Sequence, residues 1–266
     1  MSIDAPEGIV LWDKPAGVSS HDVVLDARRS SGKGVKVGHA GTLDPFATGL
    51  LLILVGRATR VQRFLMALPK LYEVTARFGA VSSTGDPEGE ITETGVLPVG
   101  DLALPAGRLH QRPPRYSAIK LGGQRAYALA RAGRQFEMPE REIHVHRFEE
   151  RWREGDRRAF LIECSSGTYV RSLIADLGDA YCEELRRTRI GPFDVTQANP
   201  EKVLPLSEAL SFLPEVALHA EEARRAAHGQ AVQGSAGGPV RLTDDRGLIA
   251  IAEPIHGALK PVVGLR

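Results

Sequence analysis

The residue with the strongest claim to chemistry is Asp44, within Gly38-His39-Ala40-Gly41-Thr42-Leu43-Asp44-Pro45. An aspartate before proline commonly serves a turn. Three features favour a reactive carboxylate here. Gly38, Gly41 and Gly49 allow a ligand backbone to approach closely. His39 lies on the same loop. The apolar run Leu50 to Val55 follows at once, so Asp44 would sit at the edge of a rigid core. A second segment, Ser166-Gly167-Thr168-Tyr169-Val170-Arg171, carries a cation and an aromatic ring. An Arg171 fork on Asp44 would keep the carboxylate ionised and aimed. Tyr169 offers a flat face to a base. In a third segment, Lys70-Leu71-Tyr72-Glu73, strand alternation puts Tyr72 and Val74 on one face and Glu73 on the other.

Other constellations are weaker. Ser31-Gly32-Lys33-Gly34 lacks the spacing of a phosphate-binding P-loop and reads as a flexible basic loop. His144 and His146 alternate on a strand without a nearby carboxylate or cysteine, which makes a poor metal site. Cys164 and Cys182 cannot build a disulfide framework and read as core residues in a reducing compartment. The stretch Met1 to Gly8 carries Asp4 and Glu7 rather than a basic leader, and no apolar run approaches the ~20 residues a membrane span needs. Net charge is +1, yet positive charge is unevenly spread. Lys and Arg dominate Asp13 to Lys70 and Asp101 to Phe136, whereas Ser172 to Arg266 is mildly acidic. Arginine-rich segments of this kind suit phosphate contacts and stacking on bases.

The elements that must position these groups follow from pattern. Gly8 to Trp12 reads as a strand ended by Asp13-Lys14-Pro15-Ala16-Gly17. Ser19 and Asp22 resemble a capping box before a helix over His21 to Arg29. Pro45 excludes a regular helix through Lys36 to Gly49. Leu50 to Val55 is a buried strand, Ala58 to Leu68 an amphipathic helix, and Leu71 to Ala80 an alternating strand. A turn over Ser82 to Gly89 leads to a short strand over Glu90 to Val96. Helices are expected over Gln124 to Ala132, Tyr169 to Tyr181 and Pro205 to Phe212, and strands over Glu142 to Trp152 and Arg158 to Ser165. Three short apolar runs after Gly238 form a small β appendix. The rhythm is that of an α+β fold with a mixed sheet and a β-rich tail.

Five collinear segments resemble the TruB family of tRNA pseudouridine-55 synthases. They are Asp13 to Ser20 (DKPAGVSS), Gly38 to Gly49 (GHAGTLDPFATG), Pro113 to Lys120 (PPRYSAIK) with Gly123, Tyr127 and Ala130 to Gly133, Ser166 to Arg171 (SGTYVR), and Leu185 to Phe193 (LRRTRIGPF). The resemblance covers about Gly8 to Phe212. It implies a mainly antiparallel mixed sheet with flanking helices, the pseudouridine synthase fold, over residues 1–212. An RNA-gripping insertion would span about 105–140, and a short PUA-like domain 213–266. It implies isomerisation of the T-loop uridine at position 55 of tRNA, after base flipping, by a cytoplasmic enzyme. No cofactor, no metal, no membrane and no obligatory protein partner are expected, and the chain should act as a monomer. Asp44 matches the essential aspartate, Arg171 its arginine partner, and Tyr72 the tyrosine that stacks on the base. Tyr169 and Leu185 match residues around the flipped nucleotide, and His39 the histidine of the flip. Lys14 and Pro15 match a buried pair supporting the loop. Lys14 and Lys120 are also placed with the substrate-binding set. Attack on the ribose, attack on the base and elimination all remain open. Ser82-Ser83-Thr84-Gly85-Asp86 departs from the family's TxTxD pattern, a difference expected to touch a loop and not catalysis.

Overall fold

The run Leu50 to Val55 lies at the heart of the computed structural model, which describes residues 7–117 and 119–266. Residues 1–6, with the acidic N-terminal stretch, and Ala118 of the PPRYSAIK segment lie outside the described residues. The chain forms β1 (Gly8–Lys14), α1 (Ser20–Ser31), β2 (Val37–Ala40), β3 (Thr48–Val55), α2 (Gln62–Ala67) and β4 (Lys70–Phe78). It continues through β5 (Gly107–Gln111), α3 (Ala126–Arg131), β6 (Arg141–Glu154), β7 (Arg157–Cys164), α4 (Val170–Ala175) and β8 (Ala180–Ile190). After β9 (Val203–Leu204) come α5 (Ala220–Ala227), β10 (Val240–Asp244), β11 (Gly247–Ile255) and β12 (Ala258–Gly264).

The main sheet runs β9-β1-β3-β8-β4-β7-β6-β5, with β2 paired on β3. Its pairings are antiparallel except β8 with β3, where Arg187 stands opposite Gly49. This is the mixed, mainly antiparallel sheet that the sequence led us to expect. Residues Leu50 to Leu54 have no exposure at all. Burial on both faces explains why the run is apolar throughout rather than alternating. Each such side chain contributes roughly 1.5–3 kcal/mol when fully buried. In β4 the alternation holds, with Tyr72 and Val74 inside and Glu73 exposed. Ser19 caps α1 in a reciprocal box with Asp22.

Three elements differ from expectation. Ala58 to Leu68 is split into a tight 3₁₀ segment over Gly56–Val61 and then α2. The Thr59 hydroxyl donates to Gly56 O at 2.8 Å and favours the tighter turn. The helix expected to reach Tyr181 stops at Ala175. Gly178 turns with φ of 136°, and Tyr181 and Cys182 then pair with Arg77 and Ala76 in the sheet. Tertiary pairing overrides the helical pattern there. Gln124 and Arg125 belong to a hairpin with Lys120 and Leu121, so α3 begins only at Ala126.

The C-terminal segment forms a second sheet in which β10, β11 and β12 are antiparallel neighbours. Glu215–Ala217 adds a parallel strand to it, and α5 packs on its own small core. Ile251 and Leu265 join the core of the main sheet beside Ile9, Leu52 and Leu210. Arg57 and Arg60 donate to Leu265 O and Gly264 O at 2.6 and 2.8 Å. The two sheets are therefore bound by both packing and hydrogen bonds.

Candidate active site

Asp44 lies on the loop between β2 and β3, and that loop is fixed at nearly every peptide. Arg187 of β8, 1% exposed, donates from Nη2 to Gly41 O at 3.0 Å and from Nε to Leu50 O at 2.7 Å. Ser20 Oγ accepts from Leu43 N at 2.8 Å and donates to Leu43 O at 3.0 Å. Gly17 N donates to Pro45 O at 2.9 Å. Lys14 Nζ reaches Pro15 O, Val18 O and Pro45 O at 2.9, 2.8 and 3.2 Å. Gly49 admits Arg187, since a Cβ there would lie 2.2 Å from Arg187 O and its φ is 105°. Such a loop holds its carboxylate without relying on a ligand.

Arg171, 3% exposed, lies in the first turn of α4 and faces this loop. Its Nη2 donates to Asp44 Oδ1 at 3.2 Å, while Nε stands 2.9 Å from Asp44 Oδ2 as a charge contact. The Nε–H is not directed at that oxygen. Arg171 is itself held from behind. Its Nη1 donates to Asp86 Oδ2 and to Thr84 O, both at 2.7 Å, and Nη2 donates to Tyr116 O at 3.1 Å. Asp86 is 3% exposed and accepts from Thr84 Oγ1 at 2.5 Å. The site thus contains a carboxylate–guanidinium–carboxylate row. Burial raises the pKa of Asp44, Arg171 pulls it back, Asp86 pushes it up again, and the net direction is upward.

The cavity beside Asp44 has a volume of about 360 Å³ and is lined by Tyr72, Tyr169, Arg171, Leu185 and Arg187. That is within the size range of small-ligand sites, roughly 300–1,000 Å³. Tyr72 and Leu185 come from neighbouring strands and are 8% and 7% exposed. Burial raises the pKa of the Tyr72 phenol, partly offset by Arg187, so the hydroxyl is neutral. Tyr169 is set by Gln111, which donates to its carbonyl at 2.9 Å and accepts from its N–H at 2.8 Å. One face of the Tyr169 ring carries the Arg141 guanidinium at 4.7 Å. A second groove opens from the other side of Asp44 and is lined by His21, His39, Tyr116 and Tyr127. Burial and the Arg187 cation lower the pKa of His39 and keep its ring neutral.

Asp44, Arg171, Tyr72, Tyr169 and Leu185 therefore meet in one cavity, and His39 borders the adjoining groove. One expectation needs correction, the placement of Lys14 with the substrate-binding set, whereas its expected role as a buried support of the loop holds. Lys14 is fully buried and spends its protons on backbone carbonyls, so it positions the loop and does not touch a substrate. Burial also brings its pKa down to about 8. Lys120 is exposed on the hairpin ahead of α3, on the outer surface and outside both cavities. The Ser82 to Asp86 turn, expected to leave the chemistry untouched, supplies two of the anchors of Arg171. Asp86, Arg187 and Gln111 escaped sequence reasoning. An acid in a turn and an arginine in a charged strand both read as surface residues until the topology is known. His144 and His146 stack on each other at 4.4 Å, and among the described residues no cluster could hold a metal ion.

Comparison with known proteins agrees with this architecture. Residues 28–170 match the family model described as TruB family pseudouridylate synthase (N terminal domain). Residues 214–265 match Pseudouridine synthase II TruB, C-terminal. The tRNA pseudouridine synthase B of Thermobifida fusca (strain YX) is 43% identical, covering 97% of this chain and 98% of that protein. That of Mycobacterium tuberculosis (strain ATCC 25618 / H37Rv) is also 43% identical, over 87% of this chain and 86% of the relative. Among solved structures, an H/ACA RNP bound to a substrate RNA containing 2'-deoxyuridine aligns with a TM-score of 0.71 at 21% identity, covering 98% of this chain and 86% of the other. A Cbf5-Nop10-Gar1 complex aligns with 0.67 at 23% identity, covering 94% and 79%. At these identities the two structures speak for the fold alone. By its matched segments and by its likeness to full-length relatives, the chain belongs to the TruB family of pseudouridylate synthases.

Proposed function

We propose that the protein isomerises a uridine of tRNA to pseudouridine, with Asp44 as the group that acts on the nucleoside. The observation that carries the reading is the Asp44–Arg171–Asp86 row at the wall of a cavity lined by Tyr72. In the net reaction the N1–C1′ bond breaks and a C5–C1′ bond forms. The C5 proton leaves and N1 gains one, so no electrons are exchanged with another molecule. A carboxylate acting directly on the nucleoside splits one difficult step into easier ones. Tyr72 faces the detached base, Leu185 packs against it, and Arg171 keeps Asp44 ionised and aimed.

The target is the uridine at position 55 in the T-loop. A base in a folded loop must be extruded first, at a cost of a few kcal/mol. His39 borders the groove that the vacated loop would fill, and Tyr169 lines the cavity that receives the base. Residues 1–212 act as the catalytic unit and 213–266 as a small PUA-like unit. The segment between β5 and β6 grips the RNA, with Arg115, Arg125, Arg131 and Arg134 along it. The protein works in the cytoplasm, as a monomer, without a guide RNA or obligatory protein partner, and no step is routed through a metal or cofactor. The relatives at 43% identity are named for tRNA. Among the described residues no helix is long and apolar enough to cross a membrane.

The test is to incubate the purified chain, alone, with an unmodified tRNA transcript, and to map pseudouridine by chemical derivatisation and primer extension. One new pseudouridine in the T-loop is expected. Bound but unmodified tRNA would refute the stand-alone activity.

A further inference from the structure

Arg141 opens β6 and lies over the Tyr169 ring, 4.7 Å from its centre. Its Nε and Nη2 are buried, and neither has a hydrogen-bond partner among the described residues. Adjacent Glu140 is held elsewhere, by Arg112 at 3.1 Å. Buried guanidinium N–H groups without acceptors are unfavourable, and native chains rarely keep them without a use. Nε and Nη2 form one edge of the guanidinium, the edge suited to two oxygens of a single anion. Arg171 engages Asp44 through the same Nη2, with its Nε only in charge contact with the second oxygen. The rest of Arg141 is fixed. Nη1 packs on Gly167, where a Cβ would come within 3.3 Å, and the plane rests on Tyr169. Ser117 Oγ, also buried and unpartnered, lines the same cavity as Arg141 and Asp44.

We infer that Arg141 is a phosphate clamp: its open edge takes the two non-bridging oxygens of a phosphodiester flanking the target uridine. The inference rests on the activity proposed above and adds a positioning residue to it. A nucleotide flipped toward Asp44 must bring its phosphates past the rim of this cavity. Anchoring one of them there fixes the ribose against the Asp44 carboxylate. The stack on Tyr169 couples the clamp to the ring that borders the base. A phosphate is favoured over a uracil carbonyl because two parallel donors match two oxygens. The two N–H groups are closed from water in this structure, so the phosphate reaches them by displacing neighbouring atoms of the cavity wall.

The experiment compares wild type, Arg141→Met and Arg141→Lys on a synthetic T-arm hairpin, at several salt concentrations. Binding is read in an Asp44→Asn background and pseudouridine formation in the native one. Arg141→Met should weaken binding roughly tenfold or more and lower the salt slope by about one. Arg141→Lys should restore the slope and only part of the affinity, because it lacks the fork. A methylphosphonate at the clamped position should weaken wild type by the same factor and leave Arg141→Met unaffected. An unchanged salt slope in Arg141→Met, or a methylphosphonate penalty that adds fully to the substitution, would overturn the clamp. If wild type makes no pseudouridine, the proposed activity itself fails. If wild type is active and these couplings are absent, only the clamp fails. Matching thermal melts of the two variants exclude misfolding as the cause of a loss.

Discussion

At the scale of single residues, the site works by opposing forces on Asp44. Burial disfavours its charged form and Arg171 favours it. Because the net pKa is raised, activity that needs the carboxylate is complete above that value and falls as pH drops through it. The acid limb of kcat therefore lies at higher pH than an ordinary aspartate, near ~3.9, would give. Arg171→Met should move that limb further up and lower kcat, as a pH–rate profile under single-turnover conditions would show. Asp86→Asn removes a buried partner of Arg171 and lets the guanidinium swing from Asp44. A fall of roughly 100-fold in kcat is expected from misplacement of this kind, with tRNA affinity nearly unchanged. Lys14 supplies a stability test. Its pKa falls from an unfolded value near 10.5 to about 8, so the folded chain binds fewer protons within that window. Stability should rise with pH between those values and be lost again as pH falls through about 8. Urea unfolding across the window should show the slope in wild type, amounting to roughly 3 kcal/mol in all, and lose it in Lys14→Met.

At the scale of elements, the site depends on one unusual pairing, β8 running parallel to β3. It brings Arg187 against Gly49 and under the Gly41 peptide, which sets the height of the Asp44 loop. Gly49→Ala would place a methyl 2.2 Å from Arg187 O at a φ of 105°. A destabilisation of roughly 2–4 kcal/mol follows, measurable by chemical denaturation, with a loss of activity at temperatures where the fold persists. Much of this level was legible in the sequence. The Leu50 to Val55 run, the β4 alternation and the Ser19 cap all carry local signals, and the structure has each where the pattern put it. Asp44, Arg171, Tyr72, Tyr169 and Leu185 were also legible, through motifs. What escaped was set by distant partners. Tyr181 reads as helical until β4 is beside it, and Asp86 reads as a turn acid until Arg171 arrives from 85 positions away.

At the scale of the whole molecule, the second sheet is tied to the main one through Ile251 and Leu265 and through Arg57 and Arg60. The two should unfold together. Ile251→Ala should cost roughly 2–5 kcal/mol and shift one calorimetric transition, not split it in two. The overall charge is nearly balanced, so RNA binding must rely on local basic segments rather than on a global field. The most direct test of the account follows the C5 proton that the isomerisation must release. Wild type and Asp44→Asn would each be mixed, in excess, with tRNA carrying tritium at C5 of its uridines, and tRNA binding would be measured alongside. The account predicts release from the T-loop uridine by wild type, and none by Asp44→Asn, which still binds tRNA. Release by Asp44→Asn at the wild-type rate would contradict the central role given to this carboxylate.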